Sequence, residues 1–483
     1  MKIKDIEIKD FRGFESFKCG FTPGMNVIIG RNGAGKTTLI HAIHKAMSFI
    51  FSNSRSLGKD FLSQGNSTLN IRGFKESDYR FDTEKRESVL DASIKATAEY
   101  NGTSLSWQLF RRNQTNAALY QRYYKDAFNK FMKEWKENDA PLPLLAYYSD
   151  SYPHKDVKTM KYALDIVNKG VMPRNFGYYQ WDDEAACTSI WETRFCNCMS
   201  RMQPYFTPML RVASSKKELE EKFDAKQLKN SEEYLRLTEE EERINKVTAA
   251  PKKELGYVEL FIMSFAALLP GIKGQPHDID YFGVSQTADG FQLMVYFNDG
   301  SFSRLQDLPA GYRRLYSIVF DMAYRSYILN GNREPEGLVV IDEIDLHLHP
   351  ELEKDVLNVF QKVFPKVQFI ISTHSPMVLT NLPTGNGENQ ILKMEFGDKY
   401  PKVVNDIYGL DYNSGVEDVM GVDARDVEID DLLNNLVYFE ENDLKKQAQN
   451  VRTLLLAKLK GNEEQLTKMA AKRRKEMGNE IHQ

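Results

Sequence analysis

Eight consecutive residues, Gly30-Arg31-Asn32-Gly33-Ala34-Gly35-Lys36-Thr37, have the types and spacing of a loop that wraps a phosphate chain, with Thr38 directly behind them. The three glycines let successive backbone N–H groups curl around an anion. The Lys36 ammonium can reach the outer phosphate oxygens, and the Thr37 hydroxyl can ligate Mg²⁺. The apolar run Val27-Ile28-Ile29 in front reads as a buried strand. A helix opening near Lys36 would add its partly positive N-terminus to the same anion site. The pattern points to a bound nucleoside triphosphate.

A phosphate cradle does not by itself hydrolyse anything, so further groups are needed. Leu338-Val339-Val340-Ile341 is a second apolar run, and it ends on Asp342-Glu343. A buried parallel strand would deliver both carboxylates to the sheet edge where ligands bind. There Asp342 is placed to hold Mg²⁺, and Glu343 to polarise an attacking water. A strand closed by an acidic turn is common alone, but it gains meaning when paired with the Gly30 loop. A third run, Phe369-Ile370-Ile371, leads to Ser372-Thr373-His374-Ser375. The His374 imidazole is thereby presented to a γ-phosphate or to the attacking water.

The elements that must position these groups exceed one core. The chain has 483 residues, and single cores stop growing near roughly 250–300, so two or more substructures are expected. Apolar content of 42% and charged content of 27% are those of an ordinary globular protein. A net charge of −4 supplies no global attraction to nucleic acid or an anionic membrane, although a local basic groove stays open. No segment approaches the ~20 continuous apolar residues of a membrane helix. Met1-Lys2-Ile3-Lys4-Asp5 alternates like a strand and lacks the apolar centre of a signal peptide, so a cytoplasmic location is expected. Cys19, Cys187, Cys196 and Cys198 lack zinc-ligand spacing and read as reduced, packed thiols.

Along the chain, strands are expected over 3–11, 15–21 and 25–29, followed by a helix from Lys36 to about Phe51. Strands 89–100 and 104–111 flank the hairpin signal Asn101-Gly102. A helix is expected over 116–135 and a buried strand over 142–148. Residues 151–253 change character. They read as helices, at least one long and solvated; the charged segment 216–246 holds neither proline nor glycine, so such a helix would span at most about 45 Å. Helix 257–269, strands 279–284, 291–297 and 302–304, and a helix from Gly311 to about Leu329 follow. The last residues read as charged helices that end in Lys472-Arg473-Arg474-Lys475. The expected division is an N-terminal lobe over 1–150, a helical insertion over 151–255, a C-terminal lobe over 256–400 and a helical extension over 401–483, for partner binding or oligomerisation.

In their order these pieces resemble the ABC-type ATPases of the RecF, OLD and SMC superfamily. The resemblance rests on Lys9-Asp10-Phe11-Arg12-Gly13-Phe14, the Gly30 loop, the run from Asp342 through Leu346-His347-Leu348-His349 to Pro350, and Ser372 to Pro376. It covers about 1–150 and 256–380. It implies an α/β, ABC-type P-loop NTPase fold with a mixed sheet and an antiparallel β-subdomain, here with a helical insertion and a helical C-terminal tail. It implies slow or regulated hydrolysis of ATP with Mg²⁺, in a head-to-tail dimer or higher oligomer. In the family Asp345 lies on the loop that contacts the opposite subunit, and His347 and His349 stand at a helix start.

The family's L-S-x-G segment is occupied by Leu308-Pro309-Ala310-Gly311-Tyr312-Arg313-Arg314, with Pro309 in place of the serine. The resemblance therefore implies that Gly311 and Arg313, with Arg314 beside it, face the partner's γ-phosphate. Ser149-Asp150-Ser151 stands where the family has a glutamine loop, and no family residue is carried onto it. OLD-type relatives add a TOPRIM nuclease. Asp423, Asp426, Glu428, Asp430 and Asp431 instead cluster in a polar helical stretch, so no nuclease site is expected. The layout is similar to the ATPase subunits of Septu-type and retron-associated antiphage defence systems. It implies a sensor or scaffold for a separate nuclease subunit, with no membrane contact; the alternative is a RecF-like repair clamp that binds DNA directly.

Overall fold

The computed structural model describes residues 1–53, 69–82, 84–89, 91–112, 118–150, 161–169, 172–181, 188–269, 279–287, 290–404, 407–410 and 427–480. Its centre is a six-stranded sheet in the order Lys402–Val404, Gln390–Met394, Met25–Gly30, Val367–Ser372, Gly337–Ile341 and Leu144–Tyr148. All neighbours pair in parallel except the edge strand Lys402–Val404, which runs antiparallel. The parallel strands are mostly apolar because both faces are covered, and every residue of Gly337–Ile341, Val367–Ser372 and Leu144–Tyr148 is buried. Parallel pairing puts their carboxyl ends on one edge. The Gly30 loop, Ser149-Asp150, Asp342-Glu343 and Thr373-His374 therefore all leave the sheet together.

A second sheet is antiparallel, ordered Phe14–Gly20, Lys2–Phe11, Asp91–Tyr100 and Thr103–Arg112. Its Asn101-Gly102 hairpin has φ of +49° and +77°, the doubly left-handed turn that matches strand twist. Trp107 anchors this sheet to the helix Lys36–Met47. Its Nε1 donates to the Ala46 carbonyl at 2.8 Å, and its ring stacks on Phe49 at 4.1 Å. A third sheet joins Ile279–Thr287, Gly290–Phe297 and Phe302–Arg304.

The α/β plan with a mixed sheet, an antiparallel subdomain, inserted helices and a helical tail is the one the sequence implied. Several boundaries differ. The helix expected over 116–135 is Lys125–Glu137, because the tyrosines before it pack with Arg122 in a short 3₁₀ turn over Gln121–Tyr123. The charged segment is divided among three helices. Thr188–Lys222 stops where Asp224 caps Ala225–Asn230, and Ser231 caps a further helix, Glu232–Leu268. That last helix, 37 residues or about 55 Å long, exceeds the length expected and runs from solvent into the core. Arg211–Glu240 and Lys216–Glu241 ion pairs tie it back to Thr188–Lys222.

Residues 1–409 form one compact unit and 410–483 a second. The second contains Val427–Glu441, Lys445–Lys458 and Glu463–Glu480, packed around Leu433, Leu436, Val451, Leu455 and Leu466. Within it, Arg473 bonds Asn434 at 2.6 Å and Arg474 pairs with Glu440. Asp423 and Asp426 lie outside the described residues, while Glu428 pairs with Lys458 and Asp430 with Arg473. No helix among the described residues is long and apolar enough to cross a membrane.

Candidate functional site

The cradle begins where Met25–Gly30 ends. Gly30, Gly33 and Gly35 have φ of +150°, +84° and +98°, conformations that L side chains rarely adopt. Two of them also lack room. A Cβ on Gly30 would lie 2.2 Å from the Met394 carbonyl oxygen, and one on Gly35 would lie 2.7 Å from the Phe14 ring. Phe14 of the first hairpin thus forms a wall of the loop. The helix Lys36–Met47 has no side-chain cap and no acid in its first turn, so its leading N–H groups remain receptive to an anion. Arg31, Asn32, Gly33 and Thr37 are exposed, Thr38 is half-buried and Ala34 is buried. Lys36 Nζ donates to the Gly30 carbonyl at 2.7 Å and to that of Arg31 at 3.4 Å, folding over the loop.

The carboxylates sit two strands away, on the far side of Val367–Ser372. Asp342 is buried, and Ser372 Oγ donates to its Oδ1, while Ser372 also accepts the Glu343 N–H at 2.8 Å. One hydroxyl therefore aligns both acids. Glu343 has φ +50°, a left-handed conformation that costs a non-glycine residue roughly 1–2 kcal/mol and is held here by the turn. Asp345 Oδ1 accepts from Thr373 Oγ1 at 2.6 Å and from the His374 N–H at 3.3 Å. The acidic turn and the histidine strand are thereby stitched together within one chain, leaving the His374 side chain exposed.

Charge explains the local titration. Burial, reinforced by Asp150, raises the Asp342 pKa against the pull of Ser372, Lys36 and Arg314. Burial lowers that of Lys36, opposed by Asp342, Glu343 and Asp345. Phosphate loop and acidic turn thus share one electrostatic environment. Thr37 and Asp342 also fit a small hard cation. Among the described residues, the Thr37 hydroxyl has no hydrogen-bond partner and Asp342 Oδ2 takes no hydrogen bond. Two uncommitted oxygens beside a phosphate cradle are a donor set for Mg²⁺.

The segment 308–314 differs from expectation. The helix opens at Ala310, with Pro309 as its N-cap, and runs to Asn330. Gly311 does not face outward as an open N-terminus. It is buried, and a Cβ there would lie 2.6 Å from the His347 carbonyl oxygen and 3.1 Å from Leu348. A side chain at 311 would disrupt the His347 turn of its own chain before meeting any partner. Arg314 is not available to a partner either. It is 2% exposed and donates to the carbonyls of Ser149 (3.1 Å), Asp150 and Asp342 (2.7 Å). Sequence reasoning missed this tie between two strand ends; a lone arginine behind a glycine gave no sign of it. Arg313 is half-buried and donates to the Gln306 carbonyl at 3.1 Å. His349 caps the helix Pro350–Val363, its Nδ1 accepting from the Glu351 N–H at 3.3 Å, while His347 is exposed at φ +65°.

Residues 1–379 match the AAA ATPase domain family. The protein named "Retron Vc95 probable ATPase" from Vibrio cholerae serotype O1 biovar El Tor is 27% identical over 406 residues, covering 79% of this chain and 72% of that one. "Retron Ec83 probable ATPase" from Escherichia coli is 23% identical over 419 residues, covering 80% and 71%. The Septu protein PtuA of Bacillus mycoides (strain KBAB4) is 39% identical over a shorter stretch of 92 residues, 19% of this chain and 13% of that one. With the family matched over most of its length and the phosphate loop and acidic turn brought to one sheet edge, the chain belongs to the AAA ATPase domain family and is an ATPase.

Proposed function

We propose that this ATPase serves antiphage defence by using its nucleotide state to restrain and release a separate nuclease subunit. The observation that carries this reading is the reach of the retron likeness: about four-fifths of the chain aligns, well beyond the phosphate loop and the acidic turn. In the reaction, the amides of Gly33 to Thr38 hold the phosphates and Lys36 neutralises the outer oxygens. Glu343 orients and polarises the attacking water, and His374 donates to the γ-phosphate. Thr37 and Asp342 would hold Mg²⁺, which when bound offsets charge on the phosphate oxygens. Two copies meet head to tail, and Arg313 of one reaches the nucleotide of the other. Hydrolysis is slow, so the bound state persists until a trigger arrives.

The test is phage plating on cells carrying the native gene cluster, with wild type, Lys36→Ala and Glu343→Gln compared. Protection by wild type, its loss in Lys36→Ala, and nucleotide-dependent co-purification of a nuclease would support the reading. Equal plaque counts with and without the cluster would end it. ATP-dependent retention of duplex DNA by the chain alone would instead favour the repair-clamp alternative. Arg313→Glu mixed with Lys36→Ala should recover activity in heterodimers; verified heterodimers without recovery would remove the trans role.

A further inference from the structure

At the amino ends of the central strands, opposite the phosphate loop, lies a cavity of about 470 Å³. That volume falls within the range of small-molecule sites. The strands Leu144–Tyr148 and Gly337–Ile341 begin beside it, and its floor is the end of the helix Ala310–Asn330. Pro251 lines another wall; it cannot donate to the carbonyl of Val247, so the long helix lacks a rung there.

Four arginines line this cavity, with two acids among them. Both acids are already engaged. Glu254 holds the buried Arg194 through a two-pronged contact at 2.6 and 2.7 Å, and Asp139 pairs with Arg333. Among the described residues, Arg174 and Arg201 have only neutral acceptors. Arg174 Nε donates to the Leu329 carbonyl at 2.7 Å and its Nη2 to Asn330 Oδ1 at 3.2 Å. Arg201 donates a single hydrogen bond, to the Asn168 carbonyl at 2.9 Å. Both side chains belong to exposed residues at the rim. A guanidinium carries five N–H donors, so most remain for a ligand. Their planar forks suit the paired oxygens of a phosphate.

We propose that this cavity is a second anion site, separate from the Gly30 loop, which binds a phosphomonoester or diphosphate group between Arg174 and Arg201. The group can come from a free small molecule or from the end of a nucleic-acid strand. The test uses full-length Lys36→Ala protein, to disable the first phosphate site, and inorganic pyrophosphate as probe in titration calorimetry. One saturable site is expected, weakened at least ~10-fold when Arg174→Gln and Arg201→Gln are added, because two charge-assisted contacts are removed. If the added pair lowers the melting temperature, Arg201→Gln alone, which loses one carbonyl contact, repeats the measurement. A 5′-phosphorylated thymidine oligomer preferred over its 5′-hydroxyl counterpart, with the preference lost in the variant, assigns the site to strand ends. Pyrophosphate binding without that preference assigns it to a small anion. No saturable binding, or binding unchanged by the arginine substitutions, overturns the proposal.

Discussion

Ser372→Ala isolates the hydroxyl that serves Asp342 and Glu343 together. Ser372 is wholly buried, and the change keeps its Cβ packing while deleting one donor and one acceptor. A hydrogen bond to a charged group contributes ~1.5–3 kcal/mol, and stranding the Glu343 amide costs about 1 kcal/mol more. A loss of roughly 2.5–4 kcal/mol follows on those values. The sign of the pH effect follows from burial, which already raises the folded Asp342 carboxyl above its unfolded value. The folded chain therefore takes this proton first on acidification. The burial penalty is in force at neutral pH and lifts as pH falls through the folded pKa. Deleting the Ser372 donor raises that pKa further. In single-turnover phosphate release, the acid limb of the pH profile should move upward. The neutral rate should fall ~10–100-fold, the scale of removing a group that orients a residue proposed to hold the metal. Ser372→Thr, which keeps the hydroxyl, should restore most of the rate. An alanine variant with the wild-type profile and rate would refute the shared-alignment reasoning.

Lys36→Ala should abolish nucleotide retention in titration calorimetry; binding as tight as wild type would remove Lys36 from the cradle. Glu343→Gln should still bind ATP but release phosphate at least ~10²-fold more slowly, the scale of a lost general base, and unchanged turnover would exclude that role. Gly35→Ala forces a Cβ to φ +98° and to 2.7 Å from Phe14, so melting should fall by about 1–3 kcal/mol equivalent and affinity should drop with it. A variant that melts and binds like wild type would contradict the tight wall. Arg314→Lys keeps the charge but cannot reach three carbonyls at once, so hydrolysis should slow and thermal stability decrease. Unaltered kinetics would limit Arg314 to packing.

The parts of the site readable in advance were those whose chemistry is local. A glycine-rich turn between an apolar run and a helix needs few neighbours to be recognised, and neither does an apolar run that ends in two acids. Asn101-Gly102 likewise announces its own hairpin. What stayed hidden depends on residues far apart in sequence. Ser372 was visible as part of a motif, but its bond to Asp342 appears only once parallel pairing sets the two strand ends side by side. Arg314 was read as facing outward, because nothing near it in sequence revealed three carbonyls waiting to be satisfied. The break at Asp224 was missed for another reason. Neither proline nor glycine marks it, and a capping aspartate looks like one more surface charge. Residues 113–117 and 151–160, where further expectations fell, lie outside the described residues.

The helix Glu232–Leu268 has a mechanical meaning beyond its packing. Its inner arm is clamped by aromatic contacts, Phe261 on Phe364 and Phe265 on Phe360, both with centroids 5.0 Å apart. Those partners lie at the end of the helix that His349 caps, whose start follows the acidic turn in sequence. Its outer arm is largely exposed to water. Two ion pairs tie that outer arm to Thr188–Lys222, and the missing rung at Pro251 lies between the two arms. Because Pro251 is also a wall of the arginine cavity, that cavity adjoins the turn between the inner and outer arms where the helix ladder is interrupted.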